Sequence, residues 1–190
     1  MVGPHMNICH LDEGALDWLI ATYAPQTFLD IGCGTMLMVE LALTKNLVAY
    51  GLDGDTHLLG HVVNFDRLIM CNLNESQFVY HTPFDLIWSV ETAEHIELQA
   101  VDNYLYSVRD NLNPKGIYVM THALPGSEST THRNCQEEAW WIDQFKAVGL
   151  AYLPEATKAL KQHSTMTREF IQNTGKVFCD AKYKGELNYG

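Results

Sequence analysis

The stretch TFLDIGCGTML, Thr27 to Leu37, runs an apolar strand straight into a glycine-rich turn. A chain built around such a junction has few folds open to it. Gly32 and Gly34 let the backbone turn tightly and approach a ligand with no Cβ in the way. The helical pattern that follows, LMVELALT, points its free N–H groups into the same crevice. Further along, LVAYGLD, RLIMCNL, FDLIWSV and GIYVMTH repeat the apolar-run signature. Between the last two lies LQAVDNYLYSVRDNL, with Val101, Leu105, Val108 and Leu112 at helical spacing and a stop at NPKG. Near-continuous apolar strands alternating with helices predict a parallel sheet covered on both faces, wound right-handed into a doubly wound α/β fold.

Two more helices are expected. DEGALDWLIATY places Leu16, Leu19, Ile20 and Tyr23 on one face, and QEEAWWIDQFKAVGL ends at Gly149. The tail STMTREFIQNTGKVFCD reads as a helix, a stop at Gly175 and a short closing strand. At 190 residues, with no repeat or linker, the expectation is one domain over 1–190, with an N-terminal segment 1–12 and a substrate-side loop 123–136.

The turn also narrows the ligand. A dinucleotide fingerprint starting at Gly32 needs its last glycine at position 37, which is Leu37. Asp30, at the strand end, would repel a pyrophosphate and attract an ammonium group. Asp53 closes the second strand, about 20 residues on, where a carboxylate accepts both hydroxyls of a ribose. Its alternatives are a turn role or a helix cap, and Asp55 is the better placed cap. The net charge of -11 disfavours bulk nucleic acid as a partner. Half of the twelve basic residues fall after Thr157, a solvated face or a local basic patch. Five scattered cysteines without a CxxC pair argue against a disulfide framework and a cysteine zinc site. No apolar run approaches the ~20 residues of a membrane helix and no secretory leader is recognisable, so a cytoplasmic protein is expected.

In order along the chain, FLDIGCGT, AYGLDGD, FDLIWSVETAEHI and NLNPKGIYVMTH resemble the motifs of class I S-adenosylmethionine-dependent methyltransferases, over roughly residues 13–150. The resemblance implies a Rossmann-like, mostly parallel seven-stranded sheet with helices on both faces. Its last strand runs antiparallel, GKVFCD beside GIYVMTH. It implies S-adenosyl-L-methionine as cofactor. Asp30, Gly32, Cys33 and Gly34 would hold its methionine part, Asp53 and Gly54 its ribose, and Asn72 or Leu73 its adenine. Ser89, Val90 and Glu91 would close the fourth strand, facing the sulfonium and the substrate. Two positions depart from the family pattern. Asn72 replaces a commoner acid, and Met36 a commoner glycine; the methionine is expected to turn into the core.

For chemistry, methyl transfer is a direct displacement that needs alignment, with a base where the attacking atom carries a proton. The loop carrying His132, Asn134 and Gln136 before Trp140 is similar to an H-x-N-x-Q…W segment over the family's substrate opening. His132 and His122 are thus the candidate catalytic residues, with Glu91, Asn134 and Gln136 as candidate substrate contacts. His95 is expected to be structural, and His10 to be exposed or to close over the cofactor. No metal site is expected, because no HExxH or HxH spacing occurs. The function expected is methyl transfer to a small or medium polar acceptor. The alternative is a non-catalytic binder of S-adenosylmethionine or S-adenosylhomocysteine; a nicotinamide oxidoreductase is disfavoured by Asp30 and Leu37.

Overall fold

A computed structural model describes residues 10–60, 62–127 and 129–186. Asp12 caps the first helix, α1 (Glu13–Tyr23), by accepting the Ala15 N–H at 3.0 Å. Then come β1 (Thr27–Ile31), α2 (Leu37–Thr44), β2 (Val48–Asp53), β3 (Leu68–Met70) and β4 (Phe84–Ser89). The second half holds α3 (Val101–Asn111), β5 (Leu112–Met120), α4 (Glu138–Ala147), β6 (Leu150–Tyr152), α5 (Pro154–His163), α6 (Phe170–Thr174) and β7 (Lys176–Asp180).

The strands form one seven-stranded sheet in the order β3-β2-β1-β4-β5-β7-β6. Strands β1 to β5 pair in parallel, and β7 runs antiparallel between β5 and β6, as the resemblance implied. The order reverses between β1 and β4, so their carboxyl ends diverge and open a crevice there. At the NPKG segment the β4–β5 register jumps from Phe84↔Leu112 to Leu86↔Ile117, so residues 113–116 of β5 form a bulge opposite Asp85.

Three expectations need correction. The tail helix shortens to Phe170–Thr174. The third strand covers only Leu68–Met70, so Asn72 and Leu73 lie in the turn beyond it. Strand β6 and helix α5 were not anticipated. A three-residue strand carries too few residues for periodicity to show, but α5 had a readable signal in Pro154 at its first turn and buried Ala156 and Leu160.

Two apolar layers cover the sheet. On one side α1, α2 and α5 pack Leu16, Leu19, Val39 and Leu160 against Phe28 and Val119. On the other, Tyr104, Tyr118, Trp141, Phe145 and Phe178 form a connected aromatic layer. No described helix is long and apolar enough to cross a membrane.

Met36 is fully buried in the first layer and does not line the crevice. Its backbone is left-handed, with φ +66°, a conformation that favours glycine. The side chain therefore points where packing stabilises it, while the backbone holds modest strain. Replacing a buried methionine with a smaller residue costs about 2–5 kcal/mol, against about 1 kcal/mol of relieved strain. Met36→Gly is thus expected to lower unfolding free energy by about 1–4 kcal/mol in urea titrations, with little change in cofactor affinity. Much tighter binding in the variant would show instead that the methionine obstructs the site.

Candidate active site

The crevice at the carboxyl ends of β1, β2 and β4 has a volume of about 510 Å³. That lies within the roughly 300–1,000 Å³ typical of small-molecule sites. Its floor is the turn predicted from TFLDIGCGTML. Gly32 (φ +79°) and Gly34 (φ +50°) both adopt left-handed backbone. A Cβ on Gly32 would come within 2.1 Å of Thr92 Oγ1, so only glycine fits there.

Asp53, at the end of β2, holds this turn. Its Oδ2 accepts the Gly34 N–H at 2.9 Å and its Oδ1 the Asp55 N–H at 2.9 Å. Each carboxylate oxygen has two acceptor sites, so both retain capacity for a ligand hydroxyl. Asp55 takes the capping role, accepting the His57 N–H at 3.0 Å before a short 3-10 turn.

Asp30 lines the same crevice and is 5% exposed. Burial, and then the charge of Asp53, push its pKa up from 3.8 to about 8. No cation contributes to that shift. Cys33 is likewise pushed well above the usual thiol range, chiefly by burial and then by Asp30, so it is an inert thiol here. A crevice with two acids at its base suits a ligand that brings positive charge.

Of the other expected cofactor contacts, Gly54, Asn72 and Leu73 line the crevice. The Asn72 amide donates to Glu75 Oε1 at 2.7 Å and accepts the Asn74 N–H at 3.1 Å, which fixes its orientation. Ser89 does not reach the crevice. It is fully buried, and Tyr104 donates a hydrogen bond to its Oγ at 2.9 Å, with Tyr118 Oη 2.6 Å from Tyr104 Oη. Its place is in the aromatic layer beneath β4.

Glu91 lines the crevice with a left-handed backbone, φ +53°, and receives a 2.8 Å hydrogen bond from Thr121 Oγ1. Strain of that kind in a non-glycine residue persists only where its surroundings over-determine it. His10 and His95 also line the crevice; His10 packs its ring edge on Phe170. Thr130, Thr131 and Arg133 extend the rim from the 123–136 loop.

That loop folds back on the turn after β4. Arg133 and Asn134 both donate backbone N–H groups to Glu94 O, at 2.7 and 3.0 Å. His132 is thereby set edge-to-face on His95, 5.2 Å between ring centroids. With Asn134 it lines a shallower depression beside the main crevice. Gln136 lines neither hollow; its amide donates to Asn134 Oδ1 at 2.9 Å.

His122 lies elsewhere. It is 1% exposed, outside the crevice lining, and its Nε2 is 2.9 Å from the buried Lys176 Nζ. The ammonium donates, so the imidazole lone pair is engaged. Burial and then Lys176 push the His122 pKa down to about 4. Lys176 is held in turn by Thr174 O at 2.9 Å and by Glu138 at 3.2 Å. The structure joins His122 to a buried polar cluster between α4 and β7, not to the crevice.

No protein-family model matches the chain, and no curated protein matches it. Solved structures do. A TehB-like S-adenosylmethionine-dependent methyltransferase from Corynebacterium glutamicum aligns with a TM-score of 0.64 and 17% identity, over 87% of this chain and 85% of that one. The fold is that of the class I methyltransferases. A second S-adenosylmethionine-dependent methyltransferase, from Clostridium acetobutylicum, aligns with a TM-score of 0.56 and 14% identity, covering 67% and 74% of the two chains. An O-methyltransferase from a Brevibacillus brevis polyketide multienzyme, solved with S-adenosylhomocysteine, gives 0.59 and 14%, covering 87% of this chain and 69% of that one. At such identities the methyltransferase likeness is one of architecture, and ligand and chemistry must be argued from the crevice itself.

Proposed function

We propose that this chain is a cytoplasmic S-adenosylmethionine-dependent methyltransferase. It would transfer the methyl group by direct displacement to a small or medium polar acceptor. The buried acid Asp30, beside Asp53 and with no cation of its own, carries this reading. The ammonium of the cofactor supplies the missing charge, and the Asp53 carboxylate accepts the ribose hydroxyls. Asn72 and Leu73 would flank the adenine side, and Gly32, Cys33 and Gly34 the methionine side; all five line the crevice. The cofactor brings an activated methyl on sulfur; the chain's part is to align the acceptor and exclude water.

Acceptor contacts fall to Glu91 and the 123–136 loop. Here His132, rather than His122, stands beside the crevice and would take the acceptor's proton. Asn134 and Gln136 would support the loop that presents it. The net charge of -11 supports a small-molecule acceptor over nucleic acid.

A binder without catalysis is the second reading, favoured by the engagement of His122 with Lys176. Incubating the protein with methyl-labelled S-adenosylmethionine and fractionated metabolite extract separates the two. Transfer of label, lost in Asp53→Ala, is expected. Persistent absence of transfer across varied extracts, with S-adenosylhomocysteine still bound, would leave the binder. Tight nicotinamide dinucleotide binding with no response to S-adenosylhomocysteine would overturn both.

A further inference from the structure

Three side chains that sequence spacing did not bring together meet beside the crevice. One ligand-type atom each from Glu94, His95 and His132 lies within 4.8 Å of the others. Glu94 and His95 sit in the short 3-10 turn Ala93–His95 after β4, and His132 arrives on the loop after β5. We infer that these residues bind one divalent transition cation, such as Mn²⁺, Co²⁺ or Zn²⁺, with Glu91 on the crevice side.

Glu94 supplies the strongest argument. It is fully buried, and neither carboxylate oxygen has a well-formed hydrogen-bond partner among the described residues. A buried acid in that condition costs several kcal/mol if ionised and unpaired. A divalent cation bound there would supply the positive charge that the buried Glu94 carboxylate lacks.

The imidazoles are prepared for the same task. His95 Nδ1 lies 3.1 Å from Thr131 O, and a carbonyl only accepts. The ring proton is therefore on Nδ1 and the lone pair on Nε2, the tautomer that a carbonyl partner fixes in histidine metal ligands. His132 is anchored through its neighbours, because Arg133 and Asn134 donate to Glu94 O, and Cys135 Sγ lies 3.5 Å from its Nδ1. Neighbouring ligands of an ion with bonds of about 2.1 Å lie about 3.0–3.4 Å apart, and opposite ones about 4.2 Å. The three ligand atoms already lie within 4.8 Å of one another, so side-chain rotations that draw them together complete the set. Two imidazoles with one or two carboxylates suit Mn²⁺, Fe²⁺, Co²⁺ or Zn²⁺ better than Mg²⁺, which favours oxygen, or Cu⁺, which favours sulfur.

Glu91 and His95 line the crevice, so the open positions of the ion would face an acceptor. There it would bind an acceptor oxygen or nitrogen and lower its pKa, taking over the task otherwise given to His132. This catalytic role rests on the methyltransferase reading; binding of the ion does not.

Chelator-treated protein should be dialysed against Mn²⁺, Co²⁺ and Zn²⁺ separately and bound metal counted by mass spectrometry. Visible absorption of the Co²⁺ form reports its ligands, and S-adenosylhomocysteine calorimetry is run on the same samples. The expectation is about one ion per chain for at least one metal. Glu94→Gln, which keeps the side-chain shape, and His132→Ala should each weaken binding by more than about tenfold. His81→Ala, an exposed histidine remote from the cluster, should not. No stoichiometric binding of any of the three metals overturns the proposal, as does binding that both cluster variants leave unchanged. Metal binding without S-adenosylhomocysteine binding would sustain the metal site while sinking the cofactor reading.

Discussion

Asp53→Ala is expected to raise the dissociation constant for S-adenosylhomocysteine by at least about a hundredfold, measured by calorimetry at neutral pH. Two ribose hydroxyls would donate to this carboxylate, and hydrogen bonds to a charged group are each worth roughly 1.5–3 kcal/mol. A total of about 3 kcal/mol is already about two decades of affinity. The change also removes the acceptors of the Gly34 and Asp55 N–H groups, so the turn that forms the crevice floor loosens with it. Asp53→Asn separates these effects, since one amide oxygen still serves the turn while half of the acceptor capacity and the charge are gone. It should fall between wild type and alanine. Unchanged affinity in both variants, with folding verified by circular dichroism, would remove the ribose role.

The second large effect concerns Asp30. Its folded pKa is raised from 3.8 to about 8, so between those values the native state holds a proton that the unfolded state has released. Stability contributed by the protonated acid is therefore full below pH 3.8 and is lost as pH rises toward 8. At 1.36 kcal/mol per pH unit, the ligand-free protein gives up as much as about 4 kcal/mol by pH 7 on this account. Asp30→Asn removes the titration. The ligand-free variant should be a few kcal/mol more stable than wild type at pH 7.5 in urea, with the two converging near pH 4. Glu94 titrates with the same sign in both proteins, so the difference between them, not either curve alone, reports Asp30. The gain should come with weaker S-adenosylhomocysteine binding. In wild type the ligand's ammonium restores the ionised acid, so binding near pH 7 should release a proton, visible as a buffer-dependent heat. Parallel stability curves, or binding heats independent of buffer, would contradict the ammonium pairing.

That both acids stand at one crevice was legible in the sequence, because the signal was local. A strand end, two glycines and an acid at the next strand end all lie within one strand–turn–helix–strand unit, where spacing in sequence is spacing in space. Ser89 shows how the same logic fails. It ends β4 as expected, yet alternation along the strand sends its hydroxyl to the Tyr104–Tyr118 side. His122 fails for a related reason. Position at the end of β5 was readable, but the approach of Lys176 from β7 was not, and that ammonium claims the imidazole. His95 went the other way, from expected structural residue to crevice lining, because the loop after β5 folds over it.

Patterns within a few turns of the chain thus sufficed for the parallel strands, the helices between them and the acidic glycine turn, while the antiparallel last strand came only from the resemblance to class I methyltransferases. Hydrophobic period and backbone preference act over neighbouring residues and survive without tertiary contacts. Charge state and side-chain direction do not. Asp30 and Glu94 resist ionisation chiefly because packing removes water from around them, and then because a second acid lies near each. Met36 could have crowded the cofactor or filled the core, and its place among buried α2 and sheet residues settled that. The meeting of Glu94, His95 and His132 depends on two backbone hydrogen bonds between segments distant in sequence. Such long-range contacts leave no periodic trace, because many side-chain patterns can satisfy the same backbone path.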